Sequence, residues 1–113
     1  MRYMCLIHHD EAALAAAPPS LRGDYAAFNE AMAKAGVGTP GEGLEPSSKA
    51  TSIRVKAGKK SVIDGPYADT KEQFAGYFIL DVPDLDVALD WAARCPSAQY
   101  GTIEIRPVKV WKA

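Results

Sequence analysis

The sequence has few of the features that mark secreted, membrane or nucleic-acid-binding proteins. Its two cysteines, Cys5 and Cys95, lie far apart without metal-ligand spacing, as is typical of buried free thiols in a reducing compartment. No apolar run approaches the roughly 20 residues of a membrane-spanning helix, and the apolar segment after Arg2 is too short for a signal peptide. The net charge of -1 provides no overall basic field. We therefore predict a cytoplasmic protein that binds neither a membrane nor nucleic acid.

The composition that is present is that of one folded domain. The chain has 113 residues, of which 48% are hydrophobic and 24% are charged. This length is sufficient for one hydrophobic core without a metal or disulfide, and it is too short for two domains. We take residues 1–113 as a single domain.

Hydrophobic periodicity predicts an α+β arrangement with two helices. Strands are predicted over residues 2–8, 41–44, 51–56, 60–64, 74–82 and 101–108. Ser20 is placed to cap a helix that ends at Gly36, and Asp84 is placed to cap a second helix that ends before Pro96.

Two connecting segments also have local sequence signals. Residues 10–19 are predicted to be a loop or irregular turn. Thr70 and Gln73 have the spacing of a capping box, which predicts a short helical piece before the strand at residues 74–82. In that strand the alternation places Phe74 on the same face as Phe78.

Both faces of the predicted sheet carry apolar side chains, which predicts a homodimer. Right-handed crossovers place both helices on one face of the sheet. Tyr3 and Cys5 of the first strand, and Tyr77 and Ile79 of the long strand, are assigned to the other face. A second copy of the chain is the simplest cover for that face, so we expect two sheets to pack face to face.

The run Asp64–Gln73, read with Ala75–Phe78, resembles the DGPF branch of the YCII-related proteins. Further segments resemble that branch in the same order, at residues 3–7, 41–44, 88–94 and 101–108. The resemblance covers most of the chain and implies a ferredoxin-like β-α-β-β-α-β domain with an extra hairpin, assembled as a dimeric α/β barrel. The sequence departs from the branch at Tyr67, which stands where the branch has the phenylalanine of its name.

The resemblance implies two alternative functions. Members of the wider group have been proposed to be enzymes in which a histidine and an aspartate meet in a cleft, similar to small-molecule isomerases. The histidine of that group lies in the first helix, and residues 21–35 here contain none. Genes for DGPF-like proteins often neighbour those of extracytoplasmic-function sigma factors, which implies a non-catalytic accessory or regulatory module instead.

The candidate site residues are an acid/base pair and a set of ligand contacts. Asp64 and His8 are the candidate acid/base pair of a cofactor-independent isomerase or lyase. The candidate contacts for a small polar or anionic ligand are Tyr67, Lys71, Glu72 and Arg106. A tight turn at Asp64 and a polar strand end at His8 are the structural alternatives.

Other patterns argue against a metal or cofactor. His8 and His9 point to opposite faces of a strand, so at most one of them enters a given pocket and they do not converge on a metal. The Gly36–Gly41 segment matches a dinucleotide-binding pattern, but it follows a predicted helix rather than a strand. We predict that the protein uses no metal and no cofactor.

Overall fold

The structure is a computed structural model, and it describes residues 1–111. The elements in this part of the chain are β1 Arg2–Asp10, α1 Glu11–Ala15, α2 Leu21–Ala35, β2 Gly38–Gly43, β3 Thr51–Lys56, β4 Lys59–Asp64, β5 Glu72–Asp81, α3 Leu85–Ala93 and β6 Gly101–Pro107. Short 3₁₀ turns lie at Ser47–Lys49 and Pro96–Gln99.

Four of the strands form an antiparallel sheet in the order β2-β5-β1-β6, and β3 and β4 form a separate hairpin. β5 therefore lies between β1 and β2, the two strands that α2 connects. The arrangement confirms the predicted α+β class and is compatible with a ferredoxin-like fold with an inserted hairpin.

The two long helices begin and end near the residues that the sequence predicts. The φ of Gly36 is 65°, a left-handed conformation that favours glycine, and its N–H closes the C-terminus of α2. The Asp84 side chain accepts a hydrogen bond from the Val87 N–H at 3.0 Å and caps α3. Ser20 occupies the N-cap position of α2 without a side-chain hydrogen bond.

The helices cover the sheet face of Tyr3 and Cys5, which the sequence predicts to be a dimer interface. Tyr3 and Cys5 are buried in the core with side chains of α2, α3 and β5. The prediction that these two residues face a partner is therefore wrong. The apolar side chains on the other face, called the open face below, are Met4, Leu6, Phe74, Tyr77 and Ile79. Tyr77 and Ile79 lie on the side predicted for them.

A β-bulge in β5 changes the predicted side of Phe74. Ile7 pairs with Gly76, but the next residue, His8, pairs with Phe74, so Ala75 is an extra residue in β5. Because side chains alternate along a strand, one extra residue transfers those before it to the opposite face. Phe74 consequently lies beside the ring of His8, with a centroid separation of 5.7 Å, and not beside Phe78.

Two connecting segments differ from their predictions. The predicted loop at residues 10–19 contains α1, because the Asp10 carboxylate accepts hydrogen bonds from the N–H groups of Ala12 and Ala13 and caps a helical turn. No helical piece forms near Thr70, since Gln73 already belongs to β5. The Gln73 amide donates instead to the carbonyl groups of Ala68 and Thr70.

The short strand predicted at residues 41–44 is longer and begins earlier. β2 starts at Gly38, where the backbone pairs with Leu80 of β5. A proline at position 40 weakens the sequence signal for a strand, but β2 is an edge strand, where a missing N–H is tolerated.

Candidate functional site

His9 is a buried histidine at the end of β1, on the helix-covered face. Its exposed fraction is 8%, and neither ring nitrogen has a hydrogen-bond partner among residues 1–111. Buried polar groups in folded proteins nearly always have partners, and an unsatisfied one costs about 1–3 kcal/mol. An unsatisfied imidazole is therefore a feature that calls for a functional explanation.

His9 lines a cavity of about 620 Å³ between the sheet, the two N-terminal helices and the segment after β2. This space, the His9 cavity, is the size of many small-molecule sites. Its aliphatic and aromatic walls include Ile7, Leu14, Leu21, Tyr25, Phe28 and Phe78. Its polar side chains besides His9 include Glu11, Asn29, Glu42 and Glu45.

Two local features fix the position of His9 at the end of β1. Gly101 pairs with His9, and a Cβ at Gly101 would collide with the backbone carbonyl of His8. The close approach of β6 to β1 at this point therefore requires glycine. Asp10 then ends the strand and caps α1, which places Glu11 at the edge of the cavity.

Hydrogen bonds connect Glu11 to Ser47, which follows the cavity-lining segment Leu44–Pro46. The Glu11 carboxylate accepts from the Ser47 N–H at 2.8 Å and from the Ser47 hydroxyl at 2.5 Å. These two hydrogen bonds hold the pKa of Glu11 below its usual value, so the carboxylate is anionic near neutral pH. The contact joins α1 to the 3₁₀ turn that follows β2.

Burial lowers the pKa of His9 below its usual value, and the carboxylates of Glu11 and Glu72 oppose that shift. Lowering the pKa keeps the ring neutral near physiological pH. A neutral imidazole has one N–H donor and one acceptor nitrogen, and it can take up or release a proton. Both ring nitrogens are themselves buried at the cavity wall, so the His9 ring has one donor and one acceptor that no described residue uses.

The Tyr25 hydroxyl already has hydrogen-bond partners in the protein. It is hydrogen-bonded to Ser97 and lies 3.6 Å from the Cys95 sulfur, so its ring contributes to the cavity while its polar end is engaged in the core. Burial also raises the pKa of the Tyr25 hydroxyl, which keeps it protonated.

His8, the histidine favoured by the sequence analysis, lies on the open face. Its Nε2 atom is 3.0 Å from the Glu104 carboxylate, and the Arg106 Nε atom is 3.9 Å from the same carboxylate. His8 also lines a second cavity of about 610 Å³, together with Tyr67. The structure thus brings two predicted residues, His8 and Arg106, to one carboxylate, and His8 and Tyr67 to one cavity.

The other predicted site residues make separate contacts. Lys71 Nζ lies 3.8 Å from the Asp10 carboxylate, and the Thr102 hydroxyl donates to Glu72 at 2.6 Å. Asp64 is exposed at the end of β4, opposite Thr51 in the hairpin, and lines neither of the two cavities described above. The contact that His8 makes is with Glu104, so its pairing with Asp64 has no supporting contact.

His9 is not among the site residues that the sequence predicts. The signal was its position, because His9 continues the alternating face of Tyr3, Cys5 and Ile7. Once that face is known to lie under the helices, the same alternation predicts a buried imidazole. Because that face is predicted to be a dimer interface, the sequence does not predict the burial of His9 under the helices.

The described part of the chain has neither a membrane-spanning helix nor a metal-ligand cluster. None of the helices within residues 1–111 combines the length and the apolar character that crossing a membrane requires. The same part of the chain contains no cluster of three or more histidine, cysteine or acidic side chains suited to hold a metal ion.

Comparison with known proteins places the chain in a family. The model of a family described as the YCII-related domain matches residues 1–112. An uncharacterised protein of Rhizobium meliloti is 34% identical over 118 aligned positions, which cover 99% of this chain and 95% of the relative. Neither comparison names a ligand or a reaction.

Proposed function

The chain belongs to the YCII-related domain family, and on this premise we propose that it binds a small molecule in the His9 cavity. The observation that carries the proposal is the buried imidazole of His9 with two unpartnered nitrogens beside a cavity of about 620 Å³. A bound molecule that hydrogen-bonds to these nitrogens removes the cost of leaving them unsatisfied.

The chemistry available at this site is proton transfer. A neutral imidazole in an apolar cavity can accept a proton from a bound molecule and return it to another atom, as a cofactor-independent isomerase or lyase requires. In this proposal His9 takes the acid/base role first assigned to His8. Asp64 has no part in it, because it does not line the cavity.

A thermal-shift screen with fragments of all charge types tests the proposal. We expect some fragments to raise the melting temperature of the wild type and of His8→Gln, but not of His9→Phe. The phenyl ring is planar like the imidazole, offers no hydrogen bonds, and has the cavity beside it to accommodate its larger size, so His9→Phe should be folded and at least as stable as the wild type without ligand. His8→Gln is the matched control, since His8 lies on the other face of the same strand.

The outcomes separate the two functions under consideration. Fragments that stabilise His9→Phe as strongly as the wild type would remove His9 from the site and contradict the proposal. A screen without any stabilising fragment would also contradict it, and would favour the non-catalytic regulatory module that the DGPF resemblance implies.

We further propose that two copies pack their open faces together as a dimeric α/β barrel. The accessible surface of the chain is 8060 Å², whereas a monomeric protein of this mass is expected to expose about 6,000 Å². The radius of gyration is 16.1 Å, against about 13 Å for a compact chain of this length. The excess surface is of the size that each partner buries in a large dimer interface.

The open face supports this proposal with its chemistry. Leu6 and Tyr77 are paired at its centre, with Met4 and Ile79 beside them. Side chains of opposite charge, including Glu104 and Arg106, lie on the neighbouring strand β6. An apolar centre with a polar margin is the usual anatomy of a protein interface.

A further inference from the structure

The charged side chains that line the His9 cavity are of one sign. Glu11, Glu42 and Glu45 contribute to the lining, and among residues 1–111 no lysine or arginine does. The residue expected to bind an anionic group, Arg106, lies on the open face and is absent from this lining. The cavity therefore has no fixed cation to balance an anionic ligand.

The three carboxylates are placed to act on a molecule entering the cavity. Glu11 is held at the edge by Ser47, and Glu42 and Glu45 are exposed in and after β2. Carboxylates around a low-dielectric cleft concentrate a negative potential at its mouth. The neutral ring of His9 leaves this potential uncompensated.

Aromatic side chains form a second, independent feature that suits a cation. Tyr25, Phe28 and Phe78 line the cavity from the helix-covered side, and Phe74 and Tyr77, whose side chains belong to the open face, also contribute to its lining. The faces of aromatic rings carry partial negative charge and attract ammonium groups, most strongly where water is excluded. The same rings offer apolar surface to a hydrocarbon body.

We propose that the ligand of the His9 cavity is a protonated amine with an apolar body. This inference rests on the proposed function and specifies its ligand class. The ammonium group donates a hydrogen bond to the acceptor nitrogen of His9 and lies in the field of Glu11, Glu42 and Glu45. The hydrocarbon or aryl body packs against Leu14, Leu21 and Phe28.

Three probes with the same body and different charge test the inference. Phenylpropylamine, phenylpropanol and phenylpropionate are titrated into the full chain at low salt and neutral pH, and the His9 ring signals are followed by NMR. We expect the amine to bind most tightly and the carboxylate least tightly, with about a tenfold or larger ratio of their dissociation constants. Added salt should weaken binding of the amine and leave that of the alcohol nearly unchanged.

A pair of double variants isolates the acidic lining. Glu42→Gln with Glu45→Gln should reduce the preference for amine over alcohol several-fold. Asp86→Asn with Asp90→Asn removes the same number of charges from α3, outside the cavity lining, and should leave the preference unchanged.

The possible failures are distinguishable. If the alcohol binds and moves the His9 signals, but the amine binds no better or the carboxylate binds best, the ligand class is wrong and the His9 site remains. If none of the three probes moves the His9 signals, both the ligand class and the proposed function are overturned.

Discussion

The buried imidazole of His9 makes the stability of the fold depend on pH. Because burial lowers its pKa in the folded state, the unfolded chain binds more protons than the folded chain between the two pKa values. The contribution of His9 to stability is therefore fully present above its ordinary value of 6.5 and is lost as the pH falls below it, until the pH passes the folded-state pKa.

We predict that the free energy of unfolding falls on acidification more steeply in the wild type than in His9→Phe. The difference in slope just below pH 6.5 should approach, at most, about 1.4 kcal/mol per pH unit. Urea unfolding curves across this range measure it. Equal slopes for the two proteins would contradict the assignment, and NMR titration of His8→Gln, which retains one imidazole, gives the His9 pKa directly.

The buried thiols of Cys5 and Cys95 give a second prediction about single residues. Burial raises the pKa of Cys5 to about 12, with a smaller contribution from Cys95, and burial also raises the pKa of Cys95. The reactive thiolate is therefore scarce in the folded protein. We expect a disulfide reagent at mildly alkaline pH to modify neither thiol until urea unfolds the chain. Rapid modification in native buffer would contradict the burial of this part of the core.

At the scale of single elements, the close contact of β1 and β6 depends on Gly101. We predict that Gly101→Ala destabilises the protein by at least about 2 kcal/mol, because a Cβ there meets the backbone carbonyl of His8 and backbone cannot move aside as a flexible side chain can. Gly23→Ala is the matched control.

In that control no heavy atom outside the local helix lies near the added Cβ, and Gly23 belongs to α2. Alanine should therefore stabilise the protein by up to about 1 kcal/mol. Thermal unfolding of the two variants measures both effects. Destabilisation of similar size in both would argue against a specific contact at Gly101.

The elements also differ in how well their sequences predict them. α2, β3 and β6 follow local periodicity and turn residues, and their structural bounds agree with the prediction within a residue. In α3, by contrast, Leu85 and Leu89 recur at the spacing of a helical apolar stripe, yet they are each 49% exposed. The helix buries Ala88 and Ala92 instead, since small side chains let it pack closely on the core. Periodicity identifies a helix more reliably than it identifies the buried edge of a broad stripe.

At the scale of the whole molecule, the proposed dimer gives a prediction about mass. We expect sedimentation equilibrium at micromolar concentration to report twice the chain mass of 12.1 kDa. Leu6→Asp, at the centre of the open face, should yield a folded monomer because it places an unpaired charge in the interface. Leu89→Asp should stay dimeric, since Leu89 lies on α3, away from that face. A monomeric wild type would overturn the assembly, as would a Leu6→Asp variant that remains dimeric.

The hairpin β3–β4 also exposes apolar side chains. Ile53, Val55 and Val62 are each more than half exposed, although Ile53 and Val62 are cross-strand partners of the kind that normally pack against a core. Both strands of this hairpin lie within a residue of the strands predicted at 51–56 and 60–64. Its exposure, however, depends on where the hairpin lies relative to the sheet, which local patterns do not encode.

Amino-acid order by itself determined the types of most elements, the α+β class and the resemblance to the YCII-related family, because capping, alternation and motifs act over a few residues. Only the tertiary structure decided that the helices cover the Tyr3 and Cys5 face, and that Phe74 crosses to the other side. Alternation shows that a strand has two faces, but it does not say which one the crossover covers or where a bulge shifts the register. His9 is therefore buried beside a cavity and His8 is paired with Glu104 on the open face, although the two are neighbours in the chain.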